Sequence, residues 1–144
     1  MDWNFLFTIL WAFGLDAQVC KLISLLVASP SLSVLVNGHP SPFFSPSRGL
    51  RQGDPISPVL FVIMVECLGR LIQKKIRDKC LVGLWPSSGP SNFTHQQFVD
   101  DTILGGEASV REARSFKSIL NSYTRGTGQA INLEKSSIFF LILL

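Results

Sequence analysis

The sequence predicts an α+β fold in which helices pack on one face of an antiparallel sheet. Four stretches carry apolar residues at helical spacing, whereas shorter β-branched stretches stand beside turn-forming residues. Along the chain the predicted order is helices, strands, helix, hairpin, helix and strand, which is typical of an α+β sandwich. The 144 residues suffice for one domain with its own core.

The chain begins with two predicted helices, over residues 3–13 and 17–28. Gly14 is suited to end the first helix because glycine adopts the left-handed conformation that is common after a helix. Asp16 can cap the second helix, since its carboxylate accepts a hydrogen bond from a free amide of the first turn. Asp2 precedes the first helix, where a negative charge interacts favourably with the helix dipole. The pattern predicts a helical hairpin.

A β-hairpin is predicted next, and its marker is the turn dipeptide Asn37-Gly38. Residues 33–36 form a short segment that contains the β-branched Val34 and Val36, and the apolar pattern resumes at Phe43 and Phe44. We therefore expect two short antiparallel strands ahead of the loop that contains Arg48 to Gly53.

The longest predicted helix begins at Ser57 and continues to about residue 79. Pro58 fits the first turn because it has no amide hydrogen to leave unpaired, and the Ser57 hydroxyl can accept a hydrogen bond from a free amide. The helical periodicity predicts an inward-facing stripe that consists of Leu60, Ile63, Met64, Cys67, Leu71 and Ile72.

The rest of the chain predicts a loop, a hairpin, a helix and a strand. Residues 84–92 are rich in proline, serine and glycine, which indicates a loop within one domain. Residues 93–99 and 102–104 predict antiparallel strands joined by a turn at Asp100 and Asp101. The remaining predicted elements are a helix over residues 109–125 and a last strand near residues 137–141.

Charge and cysteine content exclude several classes of protein. The net charge of +3 comes from dispersed basic residues, which permits contact with phosphate groups without requiring it. The three cysteines are widely spaced and predict neither a disulfide framework nor a zinc site. There is no secretory leader pattern, and the apolar run at residues 138–144 is shorter than the roughly 20 residues that span a membrane. We expect an intracellular protein that is neither secreted nor membrane-embedded.

Hydrophobic residues make up 47% of the chain and charged residues only 16%. This composition is apolar for a soluble monomer. We expect part of the apolar surface to be covered by further polypeptide. His39 and His95 stand in turn and strand contexts and are expected to be structural.

The adjacent carboxylates Asp100 and Asp101 are the most informative residues. Taken alone, such a pair after the apolar Phe98 and Val99 marks a strand that ends in a solvated turn. Two other segments, in a fixed order along the chain, favour a functional interpretation. The three segments are SRGLRQGDPISPVLF at residues 47–61, FVDDT at residues 98–102 and GQAINLEKS at residues 128–136.

Together these segments closely resemble the reverse transcriptase of plant-type LINE (non-long-terminal-repeat) retrotransposons. Residues 3–14 and 33–38 also resemble the stretches that follow the first catalytic motif of that family, so the resemblance covers nearly the whole chain. It implies a polymerase palm without fingers or thumb. We expect residues 1–144 to form a single, partial reverse transcriptase domain.

The resemblance implies RNA-directed DNA synthesis with an RNA template, a DNA primer, a dNTP and two Mg²⁺ ions. Two-metal catalysis neutralises the transferred phosphate and activates the primer hydroxyl, and magnesium prefers carboxylate oxygens. Asp100 and Asp101 would then be catalytic residues and metal ligands. Successive strand residues point to opposite faces, so the two cannot contribute equally, and the resemblance favours Asp100 as the direct ligand.

Four further residues match nucleotide-binding or template-binding positions of the family. Gln52 and Gly53 would line the incoming nucleotide, since glycine allows close backbone approach, and Arg51 would contact phosphate or template. Lys135 would assist the departure of pyrophosphate. The alternatives are that Gly53 shapes a turn and that Arg51 and Lys135 are solvated surface residues.

The sequence departs from the family pattern in three respects, one of which is the apolar run at residues 138–144, where the family would continue into a polar stretch. The first catalytic aspartate stands several residues before the position of Trp3, so we expect it to lie outside this chain, and Asp2 is too close to Trp3 to replace it. Val99 occupies a position where alanine is usual, which adds volume near the primer end. We expect no DNA synthesis by this chain alone.

Two other interpretations stay open, a non-catalytic nucleic-acid-binding remnant and a functionless retroelement relic. The first would bind nucleic acid in a salt-dependent manner without turnover. The second would lack a cooperative unfolding transition. The resemblance also implies a nuclear or cytoplasmic location.

Overall fold

The computed structural model describes residues 1–84 and 92–140. Its helices are α1 (Trp3–Ala12), α2 (Ala17–Ala28), α3 (Ser57–Arg77) and α4 (Val110–Thr127), and a 3₁₀ helix covers Leu133–Lys135. Its strands are β1 (Leu35–Val36), β2 (His39–Pro40), β3 (His95–Phe98) and β4 (Asp101–Leu104). The strands pair as two antiparallel hairpins, β1 with β2 and β3 with β4. The predicted α+β class is confirmed, and the arrangement is consistent with a partial palm-like fold.

The described chain divides into two compact units. The first comprises Met1–Met64 and Gly126–Gly128, and the second comprises the described residues of Val65–Arg125 and Gln129–Leu144. Helix α3 contributes residues to both units. A single domain over residues 1–144 stays a prediction.

Aspartates cap the N-termini of both α1 and α2 in the first unit. Asp2 Oδ1 accepts a hydrogen bond from the Phe5 amide at 3.0 Å, and Asp16 Oδ1 accepts one from the Gln18 amide at 2.7 Å. Gly14 lies between the helices with φ +82°, a conformation that costs glycine little. The predicted helical hairpin and the stabilising position of Asp2 are confirmed.

The core of the first unit is built by α1, α2 and the first half of α3. Burial of these apolar side chains is the main stabilising contribution to the unit. The fully or nearly fully buried residues are Leu6, Leu10, Cys20, Ile23, Leu60 and Met64. The loop before α3 is tied to this core, because the Trp3 indole donates a hydrogen bond to the Gly49 carbonyl at 2.6 Å.

The predicted turn at Asn37-Gly38 is confirmed. Asn37 has φ +50° and Gly38 has φ +81°, the signs of a type I′ turn, which suits the twist of a two-residue hairpin. A further bridge pairs Leu32 with Phe44, so the resumption of the apolar pattern after the turn has a structural counterpart.

Helix α3 confirms most of the predicted inward stripe, although Ile63 and Leu71 are only half-buried. Leu60, Met64, Cys67 and Ile72 are buried, and the neighbouring Leu68 is buried as well. The helix ends at Arg77, two residues before the predicted end. Among the described residues, no helix is long and apolar enough to cross a membrane.

The second unit packs β3 against its part of α3. A Cβ at Gly69 would lie 3.2 Å from His95 Nε2, so glycine allows the imidazole to approach the helix closely. The His95 Nδ1 atom is 3.1 Å from the Thr94 hydroxyl oxygen. These contacts support the structural role expected for His95. Burial raises the pKa of the Cys67 thiol and of the Tyr123 phenol, so both remain neutral core groups.

The predicted turn at Asp100 and Asp101 is displaced by one residue. Asp101 is the first residue of β4 and pairs with Phe98, so the turn consists of Val99 and Asp100. The apolar run up to Val99 suggested a longer first strand, but backbone pairing ends at Phe98. Moving a two-residue turn by one position shifts every cross-strand partner by two residues, which leaves the alternation of the two faces unchanged, so the local pattern does not distinguish the two registers.

The predicted strand near residues 137–141 is wrong over its described part, because residues 137–140 form no strand. The chain instead makes a 3₁₀ helix, Leu133–Lys135, whose first amides are capped by Asn132. Ile138, Phe139 and Phe140 are each about four-fifths exposed. An apolar run becomes a strand only when another strand pairs with its backbone. Residues 85–91 of the predicted loop and Leu141 lie outside the described residues.

Truncation of the core leucine Leu6 should destabilise the first unit strongly. Leu6 is fully buried, so Leu6→Ala should lower the free energy of unfolding by about 2–5 kcal/mol. Leu22→Ala is the matched control, because Leu22 is 58% exposed on α2 and its loss should cost less than about 0.5 kcal/mol. Urea unfolding monitored by circular dichroism measures both values. Equal losses would contradict the assignment of Leu6 to the core.

Candidate functional site

The adjacent carboxylates lie at the tip of the β3–β4 hairpin. The strands pair in register from His95 opposite Leu104 to Phe98 opposite Asp101. This register leaves Val99 and Asp100 as the only residues of the turn. Asp100 therefore lies in the turn itself and Asp101 begins the returning strand, so the two carboxylates leave the backbone at fixed and different positions.

The turn places a β-branched residue in an unfavourable backbone conformation. Val99 has φ +52°, and Asp100 is not among the described residues with positive φ. Positive φ at only the first central residue is the pattern of a type II′ turn, in which glycine is preferred at that position. A left-handed conformation costs an L-residue about 1–2 kcal/mol. The hairpin thus holds Asp100 in place at the expense of strain at Val99.

Both carboxylates are open to a ligand. Asp100 and Asp101 are exposed, and beside them Phe98 and Val99 are 76% and 63% exposed. Within the described part of the chain, neither carboxylate has a hydrogen-bond or salt-bridge partner. Their oxygens can therefore accept a cation without first breaking an internal contact.

The donor chemistry at the hairpin suits a hard divalent cation. Carboxylate oxygens are the ligands that Mg²⁺ prefers, and magnesium retains several waters when a protein supplies only one or two carboxylates. Asp100 and Asp101 supply that type of donor. Among the described residues there is no cluster of three or more histidine, cysteine, aspartate or glutamate side chains that could hold a metal ion. The hairpin thus offers two carboxylates and no third side-chain ligand from the described chain.

The segment Arg51, Gln52 and Gly53 forms one wall of a shallow depression in the first unit, together with Asp54 and Pro55. All three residues of the segment are exposed. Gly53 has φ +86°, which agrees with the alternative interpretation that this glycine shapes a turn. The absence of a side chain also leaves the backbone at Gly53 accessible. The two interpretations of Gly53 are compatible.

Hydrogen bonds hold this loop to the start of α3. The Ser57 hydroxyl, which was expected to accept from a helix amide, instead donates to the Arg51 carbonyl at 2.8 Å. Asp54 Oδ1 accepts from the Ile56 amide at 3.1 Å. The backbone of the loop is therefore fixed, while the side chains of Arg51 and Gln52 extend into solvent.

A second depression of the first unit shares Arg51 and Gln52 with the first. It adds an aromatic side chain, a further guanidinium and several apolar residues. The additional lining residues are Trp3, Val27, Pro30, Leu32, Pro46, Arg48, Gly49 and Leu50. Arg51 and Gln52 therefore stand between two concave surfaces of the same unit.

Lys135 belongs to the 3₁₀ helix of the second unit. Asn132 Oδ1 accepts hydrogen bonds from the Glu134 and Lys135 amides at 3.1 and 3.3 Å, which fixes the backbone of this turn. The Lys135 side chain is exposed. The structure thus groups Arg51, Gln52 and Gly53 in one loop, groups Asp100 and Asp101 on one hairpin, and gives Lys135 a separate element.

Glu112 is a buried charged residue that the sequence interpretation overlooked. Its side chain is fully buried, and its carboxylate accepts hydrogen bonds from the Val82 amide at 2.6 Å and the Glu107 amide at 2.8 Å. A signal was present, because Ser109 and Glu112 form the Ser-x-x-Glu pattern of a capping box. Ser109 does cap α4, with its hydroxyl 3.3 Å from the Glu112 amide, but the glutamate bonds to other segments.

Comparison with known proteins gives a family match over almost the whole chain. The family model described as reverse transcriptase (RNA-dependent DNA polymerase) matches residues 1–140. An uncharacterized mitochondrial protein of Arabidopsis thaliana is 33% identical over 110 residues, which cover 76% of this chain and 89% of that protein.

Two relatives are much longer than this chain. A retrovirus-related Pol polyprotein from the type-1 retrotransposable element R2 of Popillia japonica is 25% identical over 86% of this chain and 19% of its own length. The corresponding polyprotein from the type-2 element R2DM of Drosophila melanogaster is 32% identical over 51% of this chain and 6% of its own length. The chain therefore matches only a small part of each polyprotein.

Replacement of Val99 by glycine should relieve the strain of the turn. Val110→Gly is the matched control, because Val110 is also an exposed valine but begins α4 with ordinary helical dihedral angles. Both substitutions raise the conformational entropy of the unfolded chain by the same amount. Because only Val99→Gly also relieves backbone strain, it should be the more stable variant by about 1–2 kcal/mol. Chemical denaturation of the two proteins gives the difference. Equal stabilities would show that Val99 is not strained.

Proposed function

Because the chain belongs to the reverse transcriptase (RNA-dependent DNA polymerase) family, we propose that it is a retrotransposon-derived segment that contributes to template-directed nucleotidyl transfer. The names of the two R2 relatives support the retrotransposon origin. We assign it to the plant-type LINE class, on the motifs that contain Arg51 to Asp54 and Phe98 to Asp101 together with its likeness to the Arabidopsis protein.

One observation carries this proposal. The β3–β4 hairpin exposes two carboxylates at its tip that have no partner among the described residues, in a chain that the family model matches over residues 1–140. A merely solvated turn would not need a strained valine ahead of the first aspartate. The strain supports a functional demand on the position of Asp100.

The proposed roles follow from chemistry at the hairpin. Bound Mg²⁺ would neutralise charge on the transferred phosphate and lower the pKa of the primer hydroxyl. Asp100 in the turn is the direct ligand in this proposal, and Asp101, at the start of β4, completes or orients the ligand set. Further ligands come from water, substrate or other polypeptide, because the described residues supply no third side chain.

The loop of the first unit would bind substrate. The Arg51 guanidinium would pair with phosphate of the nucleotide or template, since arginine forms bidentate charge-assisted hydrogen bonds with phosphate. Gln52 would contact the incoming nucleotide, and the bare backbone at Gly53 would admit its sugar and base. Lys135 would neutralise the departing pyrophosphate. The dNTP, RNA template and DNA primer are the proposed partners.

A second candidate function, nucleic-acid binding without turnover, has specific support in the first unit. Phe43 is 76% exposed and Phe44 is 47% exposed, and the exposed guanidiniums of Arg48 and Arg51 follow a few residues later. Exposed aromatic rings and cationic side chains are the groups that bind single strands by stacking and phosphate contact. We prefer the role in nucleotidyl transfer to nucleic-acid binding alone, because binding alone does not account for the exposed Asp100 and Asp101 carboxylates.

The compartment is also a proposal. Family resemblance favours the nucleus or cytoplasm, while the Arabidopsis relative is named as mitochondrial. Fractionation of cells that express the tagged chain separates these locations.

Asp100→Asn should remove most divalent-cation binding at the hairpin. The substitution keeps the shape of the side chain but removes its charge, and Mn²⁺ can serve as the probe because it broadens the NMR signals of nearby amides. We expect broadening of the Asp101 and Thr102 amide signals in the unmodified protein and at least a tenfold loss of Mn²⁺ affinity in the variant. Glu134→Gln removes another exposed carboxylate and should leave this broadening unchanged. Equal broadening in both variants would contradict the proposed ligand role.

The isolated chain should bind primer-template without extending it. We expect binding that weakens with salt, and Arg51→Ala should reduce the slope of log K against log salt by about 1, because one phosphate contact is lost. Arg77→Ala at the exposed end of α3 is the control and should keep the slope. Filter binding and a Mg²⁺-dependent primer-extension assay measure the two properties. Extension that disappears in Asp100→Ala would overturn the expected inactivity of the isolated chain.

A further inference from the structure

Glu112 occupies a position that the proposed chemistry does not use. Its side chain has no exposed surface, and both carboxylate oxygens accept backbone hydrogen bonds. Oε1 accepts from Val82 at 2.6 Å, and Oε2 accepts from Glu107 at 2.8 Å. Charge-assisted bonds of this kind are stronger than neutral ones, and a buried carboxylate without them would be very unfavourable.

The stem of the β3–β4 hairpin is its end away from the turn, where the Gly105 amide bonds to the Thr94 carbonyl. The Val82 and Glu107 amides belong to the segments on either side of this stem. Val82 lies two residues before Leu84, which pairs with Phe93 through backbone hydrogen bonds of 2.7 and 2.8 Å. Glu107 follows the end of β4 by three residues. One carboxylate therefore joins the segment that leads to Phe93 with the segment that leaves β4.

Other hydrogen bonds complete a closed ring around the stem. The Asn92 side-chain amide donates to the Val82 carbonyl at 2.6 Å, and the Gly105 amide donates to the Thr94 carbonyl at 2.9 Å. From Thr94 the ring passes through Gly105 to Glu107, then through the Glu112 carboxylate back to Val82. All of its members belong to the second unit.

The ring is packed too tightly to accept larger residues at two glycines. A Cβ at Gly106 would collide with Glu112 Oε2, and a Cβ at Gly105 would lie 2.6 Å from Phe93 Cδ1. The stem is thus held by close contacts, whereas the tip, with Phe98 and Val99 exposed, has few. The direction in which the tip projects must be set at the stem.

We propose that Glu112 is a positioning residue, whose carboxylate fixes the stem of the β3–β4 hairpin and thereby the placement of Asp100 and Asp101 for a divalent cation. The metal part rests on the proposed function. Glutamine cannot replace this carboxylate, because its amide nitrogen would face one of the two N–H donors. Partners that orient metal ligands typically change metal affinity by about 10-fold to 100-fold when they are removed.

The test compares Glu112→Gln with Ser115→Ala. Ser115 lies one turn later on α4, is buried, and donates to the Cys80 and Arg111 carbonyls, so its loss weakens the same region outside the ring. Thermal unfolding first establishes the global loss of stability in each variant. Amide hydrogen exchange over residues 95–104 and Mn²⁺ affinity by NMR then report on the hairpin alone.

We expect Glu112→Gln to accelerate exchange over residues 95–104 beyond the change that its global stability explains, and to weaken Mn²⁺ binding about tenfold. Ser115→Ala should retain the Mn²⁺ affinity of the unmodified protein within about twofold, since the hydrogen bonding that it removes, to the Cys80 and Arg111 carbonyls, lies outside the ring. If both variants change exchange and affinity only in proportion to stability, Glu112 has no positioning role and the inference is overturned.

Failure of the metal proposal gives a different result. If the unmodified protein shows no Mn²⁺ effect at Asp100 and Asp101, the proposed function fails, while selective exchange in Glu112→Gln still supports the positioning role. Should Glu112→Gln not fold, Asn92→Ala opens the ring at a side chain outside the core. It should give the same selective exchange at smaller amplitude, and unchanged exchange over residues 95–104 would overturn the inference.

Discussion

The two-residue turn between β3 and β4 determines the positions of the Asp100 and Asp101 carboxylates. Because Phe98 pairs with Asp101, only Val99 and Asp100 remain to reverse the chain. The strand register therefore fixes the positions of both aspartates in the hairpin. The cost of this geometry falls on Val99, which adopts positive φ although its β-carbon is branched. The open carboxylates and the strained valine are consequences of the same short turn.

The stem explains how an exposed tip can still be well placed. Backbone bonds join Leu84 with Phe93 and Thr94 with Gly105, and the buried Glu112 carboxylate links the segments outside them. A charged group is suited to this position because it accepts two N–H donors at once, near the beginning of α4, where helix amides also favour negative charge. The cost of desolvating one carboxylate is offset by these bonds.

The sequence predicted those parts of the fold that depend on local chemistry. Asp2, Asp16 and the Asn37-Gly38 dipeptide act on amides or dihedral angles within a few residues, and each behaves as predicted. The turn at Val99 could not be located in the same way, since moving the turn by one residue shifts the strand pairing by two and leaves the alternation of faces unchanged.

Tertiary partners limited the remaining predictions. Glu112 bonds to Val82, 30 residues away in sequence, so its capping-box pattern alone does not reveal what it holds. Residues 137–140 have strand-like composition and no strand structure, because composition does not provide a pairing partner. The candidate carboxylates were identified through the resemblance, whereas the structure showed that neither has a partner within residues 1–84 and 92–140.

Anomalous diffraction from crystals of the chain soaked in Mn²⁺ would show directly whether a divalent cation binds at the tip of the β3–β4 hairpin. We expect an anomalous peak at about 2 Å from a carboxylate oxygen of Asp100, with water completing the coordination shell. Such a peak would establish the hairpin tip as a divalent-cation site. Full occupancy of Mn²⁺ at other carboxylates with no peak at Asp100 or Asp101 would contradict the account.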